Sequence, residues 1–175
     1  VPGLAVAPQN PTAAGEALFN AIVALLGTVE GFVFPSRVGF VPGAQVAFDG
    51  DQLTVNWLGM SVGVPGQEST RSVDPNQILL FYEFEINLLR QVRTLTGRGR
   101  TGGIPTPVEL SDDALTLMAD GPILLATVIT LHLESAVVER RIPFKYGPLS
   151  ALGPEGVLAG VRLPISFQAG VTELY

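Results

Sequence analysis

Gly97-Arg98-Gly99-Arg100-Thr101-Gly102 has the G-x-G-x-x-G spacing of a dinucleotide-binding turn. In such a turn the glycines let backbone approach a pyrophosphate held at a helix N-terminus. That chemistry needs a helix directly after the glycines. Here Gly103-Ile104-Pro105-Thr106-Pro107 follows, and Pro105 and Pro107 oppose one. The expectation is a flexible Arg/Gly-rich loop over residues 94–107 and no cofactor. Arg98 and Arg100 lie in it and Arg90 and Arg93 just before it, four of the ten basic residues. Such a cluster suits phosphates or an acidic partner surface. A glycine-dense loop can also order on binding, and a solvated loop is the plainer reading.

His132 is the only histidine, so any Ser-His-Asp arrangement would have to use it. It lies between Leu131 and Leu133, with no recognisable nucleophile or orienting group. Asp112, Asp113 and Asp120 raise a metal or acid/base pair. Helix capping is a sufficient account of the first two, and adjacent helical residues point in different directions. Glu83 and Glu85 alternate with Phe84 and share a strand face. They read as an acid/base pair, as a solvated face, or as an acidic wall past which a polyanion slides. No constellation supports an enzyme, and no catalytic, metal or cofactor residue is assigned.

Composition narrows the class. The 175 residues are 47% apolar, enough for one packed core, and the length suits a single domain over 1–175. A net charge of −6 argues against a dedicated nucleic-acid binder, which would carry a basic face. Without cysteine there is no disulfide, thiolate metal site or cysteine nucleophile. The longest apolar run, Pro122–Leu133, falls short of the roughly 18 residues a membrane span needs. Residues 1–10 lack the basic-then-apolar order of a signal peptide.

The elements follow from periodicity. Residues 1–11 read as an extended arm. A first helix starts at Pro11–Thr12, with Thr12 as N-cap, a stripe of Leu18, Ile22, Leu25 and Leu26, and a stop at Gly27. Gly31–Gly43 reads as a loop. Val46–Phe48 and Leu53–Val62 flank Asp49-Gly50 as a hairpin. In the second arm the apolar phase flips near Leu58–Gly59, which reads as a bulge or a change of environment. Residues 79–92 form a long strand, apolar along Leu80, Tyr82, Phe84, Ile86 and Leu88 and polar along Glu83, Glu85 and Asn87. Fully extended it spans roughly 45 Å at about 3.3 Å per residue. An ordinary strand has about 5–6 residues, so this one needs a neighbour. Ser111 reads as the N-cap of a second helix with Leu115 and Met118 on its first apolar stripe. Gly121-Pro122 should kink or restart it, and 128–134 is open between helix and strand. Val137–Tyr146 reads as a strand and Gly147–Gly156 as a loop. Val161–Phe167 is a last strand, which Pro164 marks as an edge strand, its edge open to another chain, or as a bulge. The expected fold is α+β: a mixed, mainly antiparallel twisted sheet with long strands packed against two helices.

Three segments carry a resemblance. They are Asp51-Gln52-Leu53-Thr54-Val55 with Gly63-Val64-Pro65-Gly66; Phe84 to Val92 with Pro105-Thr106-Pro107 and Asp112 to Asp120; and Gly147-Pro148-Leu149, Gly153 to Gly156 and Leu158 to Ile165. In this order they resemble the tail terminator proteins of long-tailed (siphovirus-type) phages that infect actinobacteria, over roughly Asp51–Gln168. The resemblance implies a virion protein of the tail and neck, made in the host cytoplasm. It implies a ring, hexameric in that family, that closes the head-proximal end of the tail tube. Its partners would be further copies of itself, the tail tube protein and the head–tail connector or stopper protein. DNA would pass through the lumen without specific binding, and no membrane is involved. On this reading Arg90, Arg93, Arg98, Arg100, Arg162 and Pro164 are interface residues. Glu83, Glu85 and Asn87 face the lumen or a charged partner. The alternatives are another neck or tail ring, such as the stopper or the tube protein, and a small-molecule binding domain using the kinked helix and the sheet.

Overall fold

A computed structural model describes residues 11–43, 50–62, 80–93, 104–134, 136–137, 144–155 and 158–168. The described elements, in chain order, are α1 (Pro11–Leu26), β1 (Arg37–Pro42), β2 (Gln52–Val62), β3 (Leu80–Gln91), α2 (Pro107–Leu133), β4 (Phe144–Tyr146), β5 (Ser150–Glu155) and β6 (Leu158–Gln168). Six strands form one mixed sheet in the order β1-β2-β3-β6-β4, with β5 also on β6. Only β1 and β2 run parallel; the other pairings are antiparallel. The fold is therefore the expected α+β class: a mixed, mostly antiparallel sheet packed with two helices.

β3 is the spine. Of its twelve residues, Phe81–Gln91 pair with β6 and Leu80–Leu89 with β2. Register puts Tyr82, Phe84, Ile86 and Leu88 on one face with Leu53, Val55 and Trp57 of β2 and Val161, Leu163, Ile165 and Phe167 of β6. Both helices cover this face. Ala14, Leu18, Ile22 and Leu26 of α1 recur every fourth residue, and Leu124, Val128 and Leu131 of α2 meet the same cluster. The rings of Phe84, Phe167 and Phe144 stack in series, at 5.5 and 5.9 Å between centroids.

The bulge in β2 explains its flip of phase. Pairing with β3 skips Leu58, between Trp57 and Gly59, so Met60 falls opposite Tyr82 and returns to the helix-covered face. Gly59 has φ +146°, where a side chain would be strained.

Several local expectations change. Arg37–Pro42, read as loop, is β1 and lies beside β2. The proposed hairpin arm Val46–Phe48 lies outside the described residues, as do residues 94–103 with Arg98 and Arg100, and residues 1–10. Ser150–Glu155, also read as loop, is β5. It and β4 occupy the side of β6 that was expected to be open, so β6 is interior. Pro164 is tolerated because its carbonyl, and hence its missing N–H, points to the gap between β4 and β5, where Gly147 N–H donates to the Pro164 carbonyl at 2.8 Å.

α2 runs unbroken through Gly121 and Pro122, so 128–133 is helix, not strand. Its N-cap is Thr106, not Ser111. Thr106 Oγ1 accepts from Glu109 N–H at 3.3 Å while the Glu109 carboxylate accepts from Thr106 N–H at 2.8 Å. Pro107, expected to oppose a helix, sits in its first turn, where no N–H partner is needed. By length and composition α2 is also the one described helix apolar enough to cross a membrane, contrary to the expectation from its apolar run. α1 likewise begins at Pro11, which puts Thr12 inside the helix and not at its cap.

Candidate functional site

Two buried polar centres hold β3 to its surroundings, and each uses residues singled out in the sequence. The first is at its C-terminal end. Arg90 projects to the helix-covered face, where its Nε and Nη2 donate to the Asp120 carboxylate at 2.7 and 3.0 Å. Arg90 is 6% exposed and Asp120 4%. The guanidinium also lies 5.2 Å from the centroid of the Phe32 ring. Gly121 lets α2 come close here, since a Cβ there would stand 2.8 Å from Leu149 Cδ2. Arg90 is thus committed inside the chain, away from the basic cluster to which its spacing assigned it. Asp120, considered only as a metal or acid/base residue, is its counter-ion.

Arg93 follows just beyond β3. Its side chain lies 3.4 Å from Glu109 and 3.7 Å from Asp113, and its N–H donates to Asp113 Oδ2 at 2.8 Å. It straps the first turns of α2 to the end of the strand. The hydrogen bonds from the Thr106 backbone and hydroxyl hold the Glu109 carboxyl below its usual range, with a smaller contribution from Arg93. Asp51 closes the neighbouring corner: its carboxylate accepts from Gln91 N–H at 2.6 Å.

The second centre is on the face away from the helices. Glu85, Asn87, Thr54, Gln52 and Asn56 lie there by register and are all buried. Arg162 Nε lies 3.1 Å from Glu85 Oε2 but is not aligned for a hydrogen bond, so the contact is ionic. Asn87 Nδ2 donates to Glu85 Oε1 at 3.0 Å, while Asn87 Oδ1 has no hydrogen-bond partner among the described residues. The alternation of β3 suggested burial on one side only; in fact both sides are buried. Of the three residues expected at a lumen, Glu85 and Asn87 turn to each other and to Arg162, and Glu83 alone stays half-buried.

Glu83 borders a groove of about 430 Å³, together with Leu58, Lys145, Tyr146, Pro148 and Pro164. Leu58, at the bulge, and Tyr146 are both exposed. Sequence reasoning did not select Leu58, Tyr146 or Lys145; the only signal was the flip of phase that marks the bulge.

The remaining chemical candidates stay apart. His132 stacks on Phe144 at 4.8 Å and 18°, and its Nε2 has no hydrogen-bond partner among the described residues. Asp112 and Asp113 sit in the first turns of α2, and no group of three metal-ligating side chains is found among the described residues. The buried hydroxyl of Tyr82 is raised above the usual tyrosine range by desolvation. No family model matches the chain, and no curated protein matches it.

Proposed function

We propose that this chain is a structural virion protein, a tail terminator whose ring caps the head-proximal end of a phage tail tube and joins it to the head connector. The observation that carries the proposal is the first half of α2. From Pro107 to Ala119 none of its residues is fully buried, and Val108, Leu115 and Met118 are exposed while Leu110 and Leu117 are half-buried. A chain that buries Glu85 and Asn87 yet leaves this stripe uncovered is shaped for a neighbour. The sequence resemblance and the α+β fold with its long central strands support the same reading. The acidic net charge suits a lumen that lets DNA slide.

The native mass of the purified full chain, followed by electron microscopy, tests it. A single closed ring that docks on the end of tail tubes is the expected result. Long tubes would assign the chain to the tube protein instead, and a ring that binds the connector but not the tube would make it a stopper. A strict monomer at high concentration that is not captured by tubes would overturn the ring. The groove beside Tyr146 favours a second reading, a small-molecule binding domain, since its size lies in the range of about 300–1,000 Å³ typical of ligand sites. A ligand that raises the melting temperature of a monomer would support it.

A further inference from the structure

Val108, Leu115 and Met118 of α2 are 69%, 63% and 71% exposed. They fall at i, i+7 and i+10, one stripe of a helix. Asp112 lies beside them, exposed, and its carboxylate has no ion pair or hydrogen bond among the described residues. Glu109 and Asp113 share Arg93 as their one cation among the described residues, so this half of the helix is apolar with an acidic margin.

The groove on the same chain is its complement. Leu58, Tyr146, Pro148 and Pro164 give it apolar walls. Lys145 is exposed and without an ion-pair partner among the described residues, while the groove's one acid, Glu83, is half-buried. We propose that the exposed stripe of α2 docks in this groove on a second copy of the chain, with Asp112 facing Lys145. The proposal rests on the ring reading and names the two surfaces that would close the ring.

Topology requires the second copy. Arg93 ties α2 to the C-terminal end of β3, whereas Glu83 borders the groove near its other end. Ten residues of strand separate them, about 30 Å at about 3.3 Å per residue. Glu83, Pro164, Ser166 and Lys145 also share the sheet face away from the helices. A chain therefore cannot fill its own groove. The contact joins two different surfaces, so it is head-to-tail, and a repeated head-to-tail contact builds a ring when its rotation closes. A membrane surface suits the stripe less well. Helices that lie on membranes carry Lys and Arg along the polar face, and here the charged residues of 107–119 are Glu109, Asp112 and Asp113.

Cross-linking of the full chain tests the pairing, helped by the absence of any native cysteine. Leu115→Cys and Leu58→Cys are combined in one chain and oxidised, Leu58 being an exposed residue of the groove. The expected result is a ladder of covalent oligomers from the double variant and none from either single variant. Lys145→Glu should raise the concentration of half-assembly about tenfold, equivalent to about 1.4 kcal/mol, and adding Asp112→Lys should restore it. A covalent dimer from Leu115→Cys alone would show a two-fold contact and overturn the proposal. No ladder from the double variant, while the native mass still reports a ring, would overturn this pairing and leave the ring standing. No ladder and a monomeric native mass would overturn both. Co-sedimentation of the wild-type chain with phosphatidylcholine or phosphatidylglycerol vesicles, abolished by Leu115→Asp, would assign the stripe to a membrane and overturn the pairing.

Discussion

Asp120→Asn keeps the size of the side chain and removes the charge that faces Arg90. The pair is bidentate, at 2.7 and 3.0 Å, and neither residue is more than 6% exposed. Arg90 Nη1 has no hydrogen-bond partner among the described residues, so no other group there is placed to compensate. Removing one partner of a buried pair costs about 3–5 kcal/mol, because the other charge is left in a poorly solvated place. With a urea slope of about 2.5 kcal/mol per molar, the unfolding midpoint should fall by about 1–2 M. The only tryptophan, Trp57, is half-buried in β2 and bonded to the Gly59 carbonyl at 3.0 Å, so its fluorescence reports the transition. Arg90→Met combined with Asp120→Leu removes both charges and should recover most of the loss. A single-variant loss below about 1 kcal/mol, the range of exposed ion pairs, would refute the reasoning. So would a double variant as unstable as the single one.

Gly160→Ala should destabilise by about 2 kcal/mol or more in the same assay, because a Cβ there would press on the Leu88 carbonyl and stand 2.8 Å from Leu89 Cα. Thr106→Ala removes the cap of α2 and should lower Tm by about 2–4 °C, the shift for a loss of about 1 kcal/mol in a domain of this size. A carboxyl NMR titration should find Glu109 ionising below the ordinary glutamate range, and Thr106→Ala, which keeps the larger backbone hydrogen bond and removes the hydroxyl one, should move it only part of the way back. The sign follows from the depressed folded value: the stabilisation is present above the unfolded glutamate pKa and is lost as pH falls through the folded one. Arg93→Ala should speed hydrogen exchange in 107–119 and leave 123–133 unchanged, because only the first half of α2 depends on that strap.

The long strand was legible because alternation survives in a central strand: Tyr82, Phe84, Ile86 and Leu88 are buried as their spacing required. Alternation could not show what the other face meets. Glu85 and Asn87 look the same in sequence whether they face water or Arg162. The two missed strands, β1 and β5, are short, lie at the margins of the sheet and contain Gly and Pro, which there cost little. Pro164 misled for a related reason. A strand position without an N–H needs only a local gap in pairing, and the break between β4 and β5 provides it. The cap of α2 is ambiguous in sequence because Ser111 with two aspartates competes with Thr106-Pro107-Val108-Glu109. The reciprocal bonds of a capping box decide for Thr106, and Ser111 Oγ instead donates to the Pro107 carbonyl inside the helix. Asp120 carries a signal of its own in the sequence. A carboxylate in an apolar helix, directly before Gly-Pro, requires a buried partner.

The position of Asp120 also separates the two halves of α2 by what each must do. C-terminal to it, Leu124, Val128 and Leu131 face the sheet, and the helix is core. N-terminal to it nothing is buried, and Arg93 and the capping box hold the helix where its own propensity must do the rest. Thirteen residues of helix are marginal alone in water, so this half depends on the Arg93 strap, the capping box and the partial burial of Leu110 and Leu117, and on the proposed reading its exposed face serves as a rigid surface. The same conclusion follows from the other side of the sheet. Glu85 is neutralised by Arg162 at 3.1 Å, so a lumen facing that side would meet Glu83 as its remaining acid among these β3 residues. The feature that most distinguishes this chain is therefore not the acidic face of β3 but the pair of unlike surfaces at its two ends, and on the pairing proposed above those ends would associate directionally.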